Sequence, residues 1–359
     1  MKENKKIKIH PYTRKNLITC LGVIVFFAVS SMLVDSGVLG SLYKGLLIPM
    51  CYYILLAVSL NLTVGILGEL SLGHAGFMCI GAYTGGLFAV MTQDIILNPF
   101  VNLFLSLLVG GLAAGLFGLL IGIPMLRLRG DYLAIVTLAF GEIVYKIIQN
   151  CYLIKDAAGL HFSFAKPIDL STIDLATKED ILQGSKVANH VPKNATLLFS
   201  VILVLVVLVI LWNIINSRAG RAAMAIRDNR IAAESIGINI SKYKMIIFFV
   251  SAALAGVAGA LYASNTTLDP AKFNYNMSIL ILVFVVLGGL GNMRGSIIAA
   301  ILLYALPELL REFQAYRMLL YAIILIVMMI VNNNPTIKQY KERFVNKFHH
   351  QKTTAKEEA

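Results

Sequence analysis

Charge is scarce in this chain: Asp, Glu, Lys and Arg make up 14% of its 359 residues, against 58% apolar residues. A soluble globular domain of this length has no use for that much apolar surface, so that class is excluded. The apolar runs are long and unbroken rather than alternating, which excludes a transmembrane β-barrel. Cysteine is limited to Cys20, Cys51, Cys79 and Cys151, all in or beside apolar runs, with no CxxC or metal-ligand spacing. A disulfide framework is thereby excluded, and the thiols read as small hydrophobes. There is no GxxxxGK[ST], so the chain has no P-loop of its own. The stretch Gly68–Gly73 has the glycine spacing but lacks the Lys and Ser/Thr that hold phosphate and magnesium. HExxH and a nucleophile elbow are also missing, His349 and His350 alone make no metal site, and no catalytic constellation emerges. No A-x-A-like cleavage site follows the first apolar run, which therefore reads as a retained span rather than a signal peptide.

What is present is a series of runs near the ~20 residues that cross a bilayer. They fall at about 17–34, 42–62, a glycine-rich stretch to 91, 100–125, 132–152, 196–215, 245–262, 278–290, 296–309 and 318–331. The fold class is an all-α polytopic membrane protein of about ten transmembrane helices, or nine with one re-entrant segment, carrying one or two glycine-broken segments. The net charge of +12 does not indicate nucleic acid, because the basic residues sit at span ends. With the N-terminus inside, cytoplasmic segments hold six basic residues before the first span, Arg127 and Arg129, six in 217–244, Arg294 and six in the tail. That is 21 of 31, and it predicts both termini in the cytoplasm. The expected organisation is a basic N-terminus over 1–16, a transmembrane domain over 17–331 and a basic tail over 332–359. The segment 153–195 lies outside, its five Lys matched by Asp156, Asp169, Asp174, Glu179 and Asp180. It reads either as a disordered spacer or as part of a surface for an extracytoplasmic partner.

Within the spans, the stretch 61–86 combines seven glycines with Glu69, Ser71 and His74. Glycine permits an unwound segment, and ionisable groups at membrane depth are functional by default. These three residues are candidates for the translocation path or gate; a position at the cytoplasmic interface is the other reading. Gly81 and Gly85, like the ridge Gly111, Gly115, Gly118 and Gly122, read as close helix packing. Glu142 and Lys146 are spaced to neutralise each other. A second glycine-rich break lies at 287–296.

The segment 217–244, SRAGRAAMAIRDNRIAAESIGINISKYK, is basic, with small apolar residues Ala222, Ala223, Ile226, Ala232, Ala233 and Ile236 at helical spacing. It predicts one or two short amphipathic helices, with Asp228 or Asn229 as N-cap and Gly237 ending the second in a left-handed cap. A folded module of this kind suits docking against a soluble partner.

Four ordered strings, SLNLTVGILGELSLGHAGFMCIGAYTGGL, LRLRGDYLAIVTLAFGEI, RAGRAAMAIRDNRIAAESIGINISKYK and VLGGLGNMRGSIIAA, resemble the branched-chain amino-acid ABC transporter permeases of the LivM type. The resemblance implies a bacterial cytoplasmic (inner) membrane subunit that imports Leu, Ile or Val. It also implies a second, LivH-type permease, two cytoplasmic ABC ATPases and an extracytoplasmic substrate-binding protein. ATP and magnesium would then sit on the ATPases, with no cofactor bound by this chain. The coupling loop of such permeases has the pattern E-A-A-x-x-x-G; Ala232, Ala233 and Gly237 match it, and Ile231 stands where the Glu would be. The residues expected to couple to the ATPases are Arg227, Asp228, Arg230, Ala232, Ala233, Glu234 and Gly237. Urea, short amides and other amino acids are the alternative cargoes. An ion-coupled carrier titrating Glu69, His74 and Glu142 is the alternative of another class, and it has no need of a docking loop. A membrane enzyme built on Glu69 and His74 would need further converging polar groups, and the sequence offers none.

Overall fold

The computed structural model describes residues 11–37, 41–125, 130–156, 159–164, 179–183 and 191–333. Residues 1–10, Arg127, Arg129, most of the segment 153–195 and the tail from 334, with His349 and His350, lie outside the described residues. Contacts divide the chain into one unit over Met1–Ile301 and another over Leu302–Ala359.

Ten helices in the described residues correspond to the ten expected runs. They are α1 (Pro11–Asp35), α2 (Ser41–Asn61), α3 (His74–Thr92), α4 (Pro99–Met125), α5 (Asp131–Gln149), α6 (Leu197–Asn216), α9 (Ile240–Ala263), α10 (Tyr275–Gly288), α11 (Met293–Leu309) and α12 (Arg317–Asn333). Between α6 and α9 stand two short helices, α7 (Arg218–Asp228) and α8 (Arg230–Ser235). Seven of the described helices are long and apolar enough to cross a membrane. With 14 residues, α10 spans only ~21 Å, less than a hydrocarbon core of about 30 Å.

The core of the first unit is the packing of α3, α4 and α9. Their approach is set by glycine: a Cβ on Gly81 or Gly256 would run into the facing backbone, Gly256 for the first and Gly110 for the second. The α4 ridge of Gly111, Gly115, Gly118 and Gly122 faces Val257, Phe249, Ala252 and Met245 of α9, so the expected packing role is found. Backbones this close gain dispersion and have no room for a side chain. Replacing Gly256 by Leu is accordingly expected to destabilise the protein by ~3 kcal/mol or more. Gly22→Leu, where nothing lies within 4 Å, should fall within about 0.5 kcal/mol of the parent. Thermal unfolding of both variants in one detergent checks this; equal midpoints would refute the packing account. Against this core α2 is buried from Pro49 to its end, and Tyr52, Tyr53, Tyr262, Phe273 and Phe284 form a chain of edge and tilted ring contacts beside it.

The segment after α5 is not simply a spacer. It holds an antiparallel sheet of β1 (Cys151–Asp156), β2 (Gly159–Phe164) and β3 (Glu179–Gln183), in the order β2-β1-β3. In the second unit, a short turn (Arg311–Tyr316) joins α11 to α12, and Arg311 pairs with Glu308 at 3.1 Å.

Candidate functional site

The basic segment folds as two helices, as its periodicity predicts, each N-terminus capped by a side chain and the second helix closed by a glycine. Ser217 caps α7, accepting from Gly220 N at 3.4 Å. Asn229, rather than Asp228, caps α8, its Oδ1 accepting from Ala232 N at 3.0 Å. Gly237, at φ +83°, ends α8: its N–H donates to Glu234 O at 3.0 Å, and Ile238 N–H to Ala233 O at 3.1 Å. That pair of bonds is a Schellman closure, which a side chain with a Cβ adopts only under strain. Ile226, Ala233 and Ile240 form a small core beneath it, with Ala225, Ile238 and Tyr243 against it. Ile236, expected on the apolar face, instead points outward with Ile231; the two are 75% and 82% exposed. Ala232 and Glu234 share that exposed face, and Arg230 is half-buried.

Arg227 reaches the bundle and also holds its exposed neighbour Asp228. Nε and Nη2 of Arg227 both donate to Asp228 Oδ1, at 3.0 and 2.9 Å, and Nη1 donates to the carbonyl of Gly65 at 2.8 Å. Gly65 lies in a π turn, Leu62–Leu67, which prolongs α2 and shifts its hydrogen bonds by one residue. Gly68 ends the turn at φ +78°, packed on the aliphatic part of Arg227. Residues 68–73 are then non-helical up to His74, so the glycine-rich stretch is divided between the end of α2 and the start of α3.

Glu69, in this break, forms an ion pair with Lys244 at the start of α9. The lysine side chain is 4% exposed and the carboxylate 16%. His74 is buried and pins α3 to α2. Ser59 Oγ donates to Leu56 O at 2.9 Å, so the 2.7 Å contact from His74 Nε2 is a donation by the ring. Ser71 is buried, and its hydroxyl has no partner among the described residues. The structure thus pairs Glu69 with Lys244, next to the Gly68 that packs on Arg227, and gives His74 a separate partner in Ser59.

The two glycine breaks meet. Asn61, buried, accepts from Gly291 N at 2.8 Å and donates to Ser296 Oγ at 2.9 Å. Arg227, Gly65, Asn61, Gly291 and Ser296 therefore form one continuous line from the module to the second break. Sequence reasoning missed Asn61, Lys244 and Ser296. The available signals were a lone Asn inside a long apolar run and a Lys set immediately before another. The expected Glu142–Lys146 pair is not formed. Glu142 Oε1 accepts from Tyr275 N at 2.7 Å, while Lys146 Nζ donates to Gln149 Oε1 at 3.0 Å and lies over the Tyr145 ring. The N-terminus of α10 offers the carboxylate a free amide and a favourable dipole, which the solvated i,i+4 ion pair cannot match.

A many-span helical bundle with a capped polar module wired into two broken spans is the architecture of a membrane permease subunit. The chain belongs to the family of branched-chain amino acid transport system permease components, whose model matches residues 42–331. It is 36% identical over 288 residues to the high-affinity branched-chain amino acid transport system permease protein LivM of Escherichia coli (strain K12), covering 77% of this chain and 66% of that relative. The Salmonella typhimurium protein of the same name is 36% identical over 286 residues, with the same coverage. The fructose import permease protein FruG of Bifidobacterium longum is 24% identical over 312 residues, 83% of this chain and 85% of that one. The matched region spans about two thirds of the length of the LivM relatives. No solved structure matches the chain significantly.

Proposed function

We propose that this chain is a membrane-spanning path subunit of an ABC importer for leucine, isoleucine and valine, without catalytic residues or a bound cofactor of its own. In this reading it pairs with a LivH-type permease in a bacterial cytoplasmic membrane, both termini inside. An extracytoplasmic binding protein delivers the substrate, and two ATPases dock on α7–α8 and hold the ATP and magnesium. Family membership supports the transport class. The observation that carries the docking assignment is the exposed pair Ile231 and Ile236 on a helix capped at both ends. Two such side chains in water are a standing incentive for association, each gaining ~1.5–3 kcal/mol on burial in a partner's cleft. Glu234 and Arg230 are the polar rim, whereas Arg227 is committed to the carbonyl of Gly65 and to Asp228, which itself stays exposed.

Gentle solubilisation of native membranes and capture of this chain tests the reading. Two P-loop ATPases should accompany the parent, and their recovery should fall at least about tenfold with Ile231→Glu plus Ile236→Glu. Absence of ATPases from the parent would overturn the importer reading; undiminished recovery with the variant would overturn the docking face. Uptake of labelled leucine against urea and fructose in vesicles decides the cargo.

A further inference from the structure

A hydrocarbon face runs off the end of one span onto the sheet that follows it. With 19 residues, α5 is ~28 Å long, close to a hydrocarbon core of about 30 Å, so its last turn ends at a bilayer surface. Tyr132, Val136, Ile143 and Ile147 are exposed along one side at helical spacing, in a span only 28% buried. Lys146 and Asn150, also exposed, lie on that side at the helix end, where a long stem lets a charged head reach water from the membrane edge. The strands continue the stripe. Cross-strand partners share a face of a sheet, which places Cys151 with Phe164 and Leu153 with Phe162 on one face, and Tyr152 with Ser163 on the other. By alternation His161 joins the second face. Phe162 and Phe164 are 65% and 56% exposed, large apolar surfaces that nothing among the described residues covers. Phe164 meets α5 across an open groove of about 440 Å³, shared with Glu142, Ile143, Lys146, Ile147 and Asn150. The polar heads there are bound to the protein itself: Glu142 Oε1 accepts from Tyr275 N, Lys146 donates to Gln149, and Asn150 donates to Lys146 O. What the groove presents is the hydrocarbon of two isoleucines and a phenylalanine.

We propose that the face bearing Phe162 and Phe164 lies in the bilayer interface, with a phospholipid acyl chain of that leaflet filling the groove against α5. Continuity decides the occupant. The stripe on α5 belongs to a span and faces lipid, and Ile143 and Ile147 of that stripe form one wall of the groove while Phe164 forms the other. A medium that wets the first wall wets the second, so a soluble partner could cover the phenylalanines only by displacing lipid from the isoleucines. An apolar face of this kind sinks ~5–10 Å into the headgroup and acyl boundary, as interfacial amphipathic helices do. The β1–β2 hairpin is thereby held flat on the membrane where α5 ends, and Tyr152, His161 and Ser163 are on the side turned to water.

Tryptophan fluorescence tests this, on the full chain alone and on the complete transporter, both in phospholipid nanodiscs. Trp212, the single tryptophan of the sequence, is first replaced by phenylalanine, and Phe162→Trp, Phe164→Trp and Ser163→Trp are then made one at a time. Phosphatidylcholine brominated near the headgroup end of its chains should quench Phe162→Trp and Phe164→Trp, with blue-shifted emission. Bromines near the methyl end should quench them less, and Ser163→Trp should keep its intensity with either lipid. The two phenylalanine positions report independently, so one that fails to fold leaves the other to decide. Red-shifted, unquenched emission at the phenylalanine positions would overturn the proposal, as would equal quenching at all three. Quenching in the chain alone that is lost in the complete transporter would also overturn it, since a partner subunit would then own the face. Transport takes no part in the readout, so either result leaves the importer reading as it stands.

Discussion

Replacing Arg227 with methionine is expected to leave the ATPases bound to the permease and yet lower transport per ATP hydrolysed by about tenfold or more. The guanidinium reaches into the bundle at the π turn, on the carbonyl of Gly65, and its other two nitrogens donate to Asp228. A charge-assisted hydrogen bond to a half-buried carbonyl contributes ~1.5–3 kcal/mol, which sets the scale of the effect. From Gly65 the backbone passes one turn back to Asn61, whose amide holds both the N–H of Gly291 and the hydroxyl of Ser296. A displacement of α7 therefore moves the ends of α2 and α10 together. This line is a mechanical hypothesis, and non-additivity is its proper test. In reconstituted vesicles, Arg227→Met combined with Asn61→Ala should be no worse than the more severe single change. Independent, multiplying losses would disprove a shared line, and loss of the ATPases from Arg227→Met would return the residue to the docking face. Lysine at this position cannot replace the fork, so Arg227→Lys should resemble methionine more than the parent.

The same line shows which parts of the site were legible before the fold was known. Span positions, the two helices of the module, the Asn229 cap and the Gly237 closure are local: apolar length, helical period and turn chemistry determine them. The close glycine contacts of α4 with α9 could also be read, since glycines at every third or fourth position of an apolar run have little other use. What the sequence could not indicate was the assignment of partners at a distance. Arg227 lies 162 residues from Gly65, and Asn61 lies 230 from Gly291. A single chain does not reveal that two glycine-rich breaks lie against each other. Glu142 shows the reverse case. A local rule paired it with Lys146, and a tertiary neighbour, the N-terminus of α10, provided a better site. Three strands in the segment after α5 went unassigned because each has only five or six residues, set in a segment that is polar as a whole, although β2 alternates strictly.

The ion pair of Glu69 and Lys244 carries the largest expected effect on stability. Both side chains are withdrawn from water, the ammonium almost wholly. Removing one partner leaves the other charged and without compensation, at a cost of about 3–5 kcal/mol. Lys244→Met should therefore unfold far below the parent in a detergent melt, and Glu69→Gln nearly as far. Changing both at once is the informative case. Desolvating two ions offsets most of what their attraction returns, so the double variant should recover most of the lost stability. Transport should not recover with it. Glu69 is joined to the break that Arg227 grips from the other side, and Lys244 opens the helix that follows the module. A neutral pair keeps the packing and releases one of the two points at which the module holds the broken span. A double variant with parental transport would show that the pair serves folding alone. One as unstable as Lys244→Met would show that Lys244 has a further partner, and that Glu69 is not what keeps its charge buried.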